Sequence, residues 1–169
     1  MIDQKYVSMM ARYNAWQNKQ IIDIVKVMDE EALRHDHGAF FESILHTLNH
    51  ILWGDTIWMS RFSDAFDPPS VPPAQHKTYT ASGAAWQLAR DEMDAGIVQW
   101  AGELDNDDLS GDLAWHSGMT GQDFSMPRAQ CIAHFFTHQT HHRGQVHAML
   151  TASGQSAPTT DLCFMPESA

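Results

Sequence analysis

The sequence predicts an all-α fold, a four-helix bundle with a small β-hairpin between the third and fourth helices. Three observations predict it. Four long segments carry apolar residues at steps of three and four, the spacing that lines one face of a helix. Four prolines between positions 67 and 73 separate the second segment from the third. A glycine-bearing stretch with short apolar runs on either side separates the third segment from the fourth.

The first two helices are predicted from their apolar periodicity. The first covers about residues 3–28, where neither Gly nor Pro interrupts the pattern. The second covers about residues 39–62 and is apolar over a wide arc that includes Phe41 and Leu48. Helices of this size are about 35–40 Å long at a rise of about 1.5 Å per residue, which suits the length of a bundle.

The third and fourth helices have recognisable ends. The third begins near Thr80 or Ser82, since either side chain is a suitable N-cap, and its apolar repeat continues to Leu104. The fourth begins near Pro127, because proline is favoured in the first helical turn. It ends near Gly154, because glycine readily adopts the left-handed conformation that closes many helices.

The connections are predicted from residues that break helices. The proline-rich residues 67–73 form a surface connection that crosses an end of the bundle. Residues 109–126 contain two short apolar runs around a glycine-bearing turn, which indicates a hairpin. The tail over residues 155–169 is expected to be irregular.

Composition limits the protein's class and partners. With 169 residues, 43% of them apolar, the chain suffices for a single helical-bundle domain over residues 1–169. A net charge of -11 argues against binding to nucleic acid or to an anionic membrane surface. The N-terminus lacks the pattern of a signal peptide, and Cys131 and Cys163 form no disulfide framework. We therefore expect a cytoplasmic protein with reduced thiols.

Two histidines on the fourth helix are the first candidate metal ligands. Because residues four apart share a helix face, one inward stripe is predicted there. It comprises Cys131, Phe135, His138, His142, Gln145 and Met149. Two buried imidazoles one turn apart would each need hydrogen-bond partners, whereas a divalent cation accepts a lone pair from both. The alternative is a pair of core or rim histidines satisfied by their neighbours and water.

A third ligand is expected from the second helix. Both His46 and His50 are candidates, and helical periodicity alone leaves the choice open. The neighbours of His50 on its face include Thr47 and Gly54, which are small enough to leave room for a ring. Motifs of other metalloproteins are absent from the sequence, including the zinc-protease His-Glu-x-x-His and the di-iron Glu-x-x-His.

These segments resemble a known family. Residues 138–145 read His-Gln-Thr-His-His-Arg-Gly-Gln, similar to the His-x-x-x-His-Arg-Gly-Gln signature of the DinB family. Residues 13–16, Tyr-Asn-Ala-Trp, and residues 48–58 resemble the segments of that family in the first two helices. The resemblance covers most of the chain and implies a four-helix bundle with a three-histidine metal centre. The ligands that it implies are His50, His138 and His142.

The resemblance also implies a chemistry. Zinc or nickel would be the metal, and homodimers are common in the family. Some relatives are S-transferases that use bacillithiol or mycothiol, and one is an isomerase with a thiol cofactor. We therefore expect a metal-dependent transferase or hydrolase that activates a small thiol or water for attack on a small-molecule electrophile. The alternatives are a non-enzymatic metal-binding stress-response protein, and a bundle whose histidines serve only structure or partner contacts.

Several further side chains are candidates for hydrogen bonds to the ligands or for substrate contact. They are His46, Asn49, Tyr13, Asp55, Arg143 and Gln145. Tyr13 has an alternative role in the core with its hydroxyl satisfied, and Asn49 and Asp55 have one as ordinary helix surface. Arg143 is expected to form an ion pair, with a bundle carboxylate as the candidate partner. Trp115 and His116, if they lie on the hairpin, would line the pocket.

Overall fold

The computed structural model describes residues 2–156 and 158–168, and it confirms the predicted helical bundle with a hairpin. It is 63% helical, with four long helices and one two-stranded antiparallel sheet. The helices are α1 (Gln4–Val25), α2 (Glu30–Arg34), α3 (Ile44–Phe62), α4 (Gly83–Glu103) and α5 (Arg128–Ala152). The strands are β1 (Asp112–Ser117) and β2 (Gln122–Pro127), paired between α4 and α5.

The helices begin and end where local chemistry favours it. The N-caps Asp3, Ser43 and Ser82 each accept a backbone N–H three residues onward, which satisfies one of the free donors of the first turn. The cap of α4 is therefore Ser82 and not Thr80. At the end of α5, Gly154 has a φ of 78°, and the Gln155 N–H donates to the Leu150 carbonyl at 3.0 Å.

The prediction that the second long helix begins at residue 39 was wrong, because α3 begins at Ile44. Glu42 has a φ of 68°, which is incompatible with a helix, and Ala39 and Glu42 form an isolated bridge. This tight turn places Phe41 in the interior. The short helix α2 was not predicted, since its five residues are too few to show a period.

The core consists of two apolar clusters with a buried polar layer between them. In the bundle α1 packs mainly against α4, and α3 packs against α5. One cluster contains Met59 and Phe135, and the other contains Leu48 and Val146. The middle of each long helix instead contributes buried polar side chains. These are Asn14, Asn18, Asp55, Arg90, Asp94, Gln139 and Arg143.

None of the helices in the described part of the chain is both long and apolar enough to cross a membrane.

Candidate metal centre

Three histidine rings meet where α3 packs against α5. His50 comes from α3, and His138 and His142 lie one turn apart on α5. The Nε2 atom of His50 lies 3.2 Å from Nε2 of His138 and 3.2 Å from Nε2 of His142. One ring nitrogen from each histidine falls within 4.8 Å of the other two. The geometry thus brings together the three residues of the resemblance.

Small and aromatic neighbours shape the space around the rings. A Cβ atom added at Gly54 would lie 3.2 Å from Cε1 of His138, so the missing side chain makes room for that ring. On another side, the buried ring of Phe41 lies against the cluster. Its centroid is 4.1 Å from that of His50 and 5.4 Å from that of His142. Phe41 therefore screens part of the cluster from solvent.

The nitrogens that face away from the cluster have partners of their own. The Nδ1 of His142 lies 2.8 Å from Oε1 of Gln145, and the Nδ1–H tautomer donates to this oxygen. The Nδ1 of His50 lies 3.2 Å from Nδ1 of His76. A histidine that binds a metal through one ring nitrogen usually donates the N–H of its other ring nitrogen to such an acceptor. This hydrogen bond fixes both the tautomer and the orientation of the ring.

Burial keeps the three rings in their neutral form. Desolvation, with the nearby His142 and His138, lowers the pKa of His50 to about 3. Desolvation and His142 lower the pKa of His138 to about 4. Burial also lowers the pKa of His142. At neutral pH the ring nitrogens therefore offer lone pairs and not charges, which is the form that binds a metal.

His76 is a residue of this site that the sequence analysis missed. It lies on a 3₁₀ turn, Pro73–Thr78, that follows the prolines. Asn49 holds this turn against α3, since its amide donates to the Lys77 carbonyl at 2.9 Å and its Oδ1 accepts from the Thr80 hydroxyl at 2.7 Å. Asn49 is 1% exposed, so it is a buried anchor and not ordinary helix surface. A histidine outside a periodic segment gave no helical pattern by which to place it.

His46, the other candidate on α3, has a different neighbour. Its Nδ1 lies 3.1 Å from the Glu42 carboxylate, which also accepts from the Lys77 ammonium at 3.1 Å. Of the two α3 candidates that helical periodicity left open, His50 is the one whose ring lies beside the α5 histidines.

Two of the predicted candidates belong to the buried polar layer instead. Asp55 is fully buried and accepts from Arg90 and, at 2.6 Å, from Gln139. Arg143 was expected to form an ion pair, but it donates to the amide oxygens of Asn14 and Gln139. The ion pair that was expected of Arg143 is formed by Arg90 instead. Arg90 forms it because its position on α4 places its guanidinium against both Asp55 and the carboxylate one helical turn onward.

Tyr13 forms a hydrogen bond to the C-terminal tail of the chain. Its hydroxyl donates to the Thr160 carbonyl at 2.5 Å, and its ring lies 5.7 Å from the guanidinium of Arg143. This agrees with the alternative of a core tyrosine whose hydroxyl is satisfied.

A cavity of about 560 Å³ opens beside His50 and His138. Its walls come from α3, the proline-rich connection and the hairpin. Trp115 and His116 of β1 line it, as expected from the sequence. The connection is held in place by Trp53, whose indole N–H donates to the Val71 carbonyl at 3.0 Å. The histidine cluster is therefore accessible to a small molecule.

Comparison with known proteins gives a consistent result. The model of the DinB family matches residues 1–169. Protein DinB of Bacillus subtilis (strain 168) is 24% identical over 162 residues, which cover 88% of this chain and 87% of that protein. The crystal structure of a DinB-like protein from Bacillus cereus ATCC 10987 matches with a TM-score of 0.65 at 18% identity. This match covers 87% of the chain and 90% of the neighbour, and it shows the fold.

Proposed function

The chain belongs to the DinB family, and from the geometry of its histidines we propose that it is a metal-dependent enzyme acting on small molecules. The ligands would be His50, His138 and His142, and zinc or nickel would be the metal. In the reaction a low-molecular-weight thiol, or water, would lose its proton to solvent and form a bond to the electrophilic carbon of a small molecule, while the leaving group on that carbon departs with its bonding electrons. One observation carries the proposal, namely that three imidazole nitrogens converge and that two of the three histidines line an open cavity.

The separation of the nitrogens fits a metal ion. Imidazole nitrogens bound to zinc at about 2.0–2.1 Å in a tetrahedral arrangement lie about 3.3 Å from one another. The Nε2 atom of His50 lies 3.2 Å from each of the other two Nε2 atoms. Neutral imidazole nitrogens are suitable ligands for both zinc and nickel, so the three histidines alone favour neither metal.

The hydrogen bonds of the outward nitrogens support the same proposal. When Nδ1 of His142 donates to Gln145, its Nε2 carries a lone pair. When Nδ1 of His50 donates to His76, its Nε2 also carries a lone pair. These two lone pairs then face each other across 3.2 Å, which is repulsive without a cation between them. A bound ion removes the conflict.

The chain's own residues would supply positioning and exclusion of water. When bound, the ion would leave at least one coordination position open and lower the pKa of a thiol or water held there. Gln145 and His76 would hold two of the three rings in place. Phe41 covers one side of the cluster, and the cavity beside His138 admits the electrophile.

The proposal is tested with a thiol-consumption assay. Protein loaded with zinc or nickel is mixed with monochlorobimane and cysteine, bacillithiol or mycothiol, and product fluorescence is followed. We expect metal-dependent turnover that His142→Ala abolishes. The control is His147→Ala on the same helix, which leaves the three rings intact. Bound metal without thiol transfer or hydrolysis across a panel of electrophiles would contradict the enzyme and leave the non-enzymatic metal-binding protein.

The homodimer and the cytoplasmic location stay predictions. Analytical ultracentrifugation of the metal-loaded protein tests the first, and cell fractionation tests the second.

A further inference from the structure

We propose that the cavity beside the histidines binds an elongated small molecule with a flat apolar body and an anionic end, and that Arg61 binds the anion. The proposal rests on the proposed function in one respect, because it places the other end of that molecule at the metal centre. It adds a substrate class and a specificity-determining residue.

Within the described part of the chain, Arg61 is a partly buried cation that has no carboxylate partner and whose one recorded acidic neighbour is the Cys131 thiol. Its guanidinium carbon lies 4.8 Å from the ring centroid of Trp58 and 5.2 Å from that of Trp115. Among residues 2–156 and 158–168, its side chain makes no ion pair or hydrogen bond, whereas Arg34, Lys77 and other cations have carboxylate partners. Stacking on the two indoles uses the faces of the guanidinium and leaves N–H groups at its edge free to donate to an anion.

The lining of the cavity is unusual for so acidic a chain. The sequence has 21 Asp and Glu against 10 Lys and Arg. Even so, the described residues that line this cavity include neither Asp nor Glu, and their only Lys or Arg is Arg61. Among the lining residues an anion would therefore meet one Arg and no carboxylate. The carboxylate recorded next to the lining is Asp123, which is engaged by Nδ1 of His116 at 2.8 Å. The lining itself thus favours an anion over a cation.

Aromatic and proline side chains form the walls. The rings of Trp115 and Phe124 stack at 5.4 Å with an interplanar angle of 16°, and Trp58 meets Trp115 edge-on at 5.4 Å. The lining also contains Pro68 and Pro72 of the proline-rich connection. Flat apolar surfaces of this kind favour a flat apolar body, since aromatic contacts add to the area that is removed from water.

The placement of the two ends sets the shape of the ligand. His50 and Arg61 lie on one face of α3, eleven residues apart, which corresponds to about 16 Å along the helix axis. Gly54 lies between them on the same face and adds no side chain to the space. A molecule whose reactive end reaches the histidines must therefore be elongated for its anionic end to reach Arg61.

The test compares a charged probe with its neutral analogue. Binding of 2-naphthaleneacetate and of 2-naphthaleneacetamide to the metal-free protein is measured by isothermal titration calorimetry. Because charge-assisted hydrogen bonds are the strong ones, we expect the carboxylate to bind at least about 10-fold more tightly than the amide. Arg61→Gln should remove this preference, and Arg61→Lys should retain part of it. The control Lys5→Gln, which removes a charge from the exposed surface of α1, should leave the preference unchanged.

Equal binding of the two probes, or a preference that survives Arg61→Gln, would overturn the inference. Thermal unfolding of each variant establishes that it is folded. If Arg61→Gln does not fold, the comparison is made with Arg61→Lys. Metal content of the same variants is measured by elemental analysis. Normal metal content without an anion preference would overturn this inference alone, whereas an anion preference in a protein that takes up no metal would overturn the proposed function alone.

Discussion

Replacing Gly54 with alanine tests whether the position of His138 determines metal affinity. The added methyl group would lie 3.2 Å from Cε1 of His138, whereas carbon atoms at optimal separation are about 3.5–4.0 Å apart. The ring must therefore retreat by about 0.3 Å or more. Metal–ligand distances in proteins hold to about 0.2 Å, so this displacement is enough to strain the bond from His138.

The expected loss of metal affinity lowers the melting temperature of the zinc-loaded variant. A misplaced ligand should weaken metal binding about 10-fold, similar to the loss of an outer partner. A 10-fold weaker affinity reduces the stabilisation by saturating metal by about 1.4 kcal/mol. For a chain of this size, that lowers the metal-induced rise in Tm by about 3–6 °C.

The assay is thermal unfolding of the metal-free and zinc-loaded proteins, with zinc affinity measured by chelator competition. The matched control is Gly144→Ala on α5, where an added Cβ meets no atom within 4 Å. Both substitutions replace a helical glycine with alanine, and this replacement by itself stabilises a helix by about 1 kcal/mol. The control should therefore gain stability and keep its zinc affinity. Equal zinc affinity in both variants would refute the reasoning.

Three other predictions concern the neighbours of the site. His76→Phe removes the hydrogen-bond partner of the His50 Nδ1, so zinc affinity measured by chelator competition should fall about 10–100-fold. An unchanged affinity would show that this contact does not contribute to zinc binding. Arg90→Met leaves the buried Asp55 carboxylate unpaired and should cost about 3–5 kcal/mol in urea unfolding; a loss below about 1 kcal/mol would contradict this. Because protons compete with metal, affinity falls as pH falls. The pKa values of about 3 for His50 and about 4 for His138 place that loss near pH 4. The pKa of His142 is also lowered, so zinc affinity should fall by less than about 10-fold in total between pH 7 and pH 5.5, where three rings of ordinary pKa would each cost about 10-fold. A steeper fall would contradict these shifts.

The long helices could be predicted because their signals are local and repeated. Capping side chains and periodic apolar residues fix α1 and α4 to within a few residues, as the caps at Asp3 and Ser82 show. The start of α3 could not be predicted, since Phe41 fits an apolar helical arc as well as a buried turn. Its conformation follows from the positive φ of Glu42, a residue for which such a conformation is uncommon.

The site was predictable in part for similar reasons. The spacing of His138 and His142 on one helix indicates a pair of ligands, and the resemblance supplies His50. The polar layer was not predictable, because which carboxylate meets which guanidinium depends on how the helices pack. Asp55 shows this, since a lone acidic residue in a helix gives no sign of whether it is exposed or buried. The single domain over residues 1–169 stays a prediction.

The most direct test of the metal centre is its stoichiometry. Untagged protein is analysed for bound metals after purification and after exposure to zinc or nickel, beside His138→Ala and the control His147→Ala. We expect close to one metal ion per chain in the native protein and the control, and a loss of most of it in His138→Ala. Protein that takes up no stoichiometric zinc or nickel, or a His138→Ala variant that retains a full complement, would contradict the three-histidine centre.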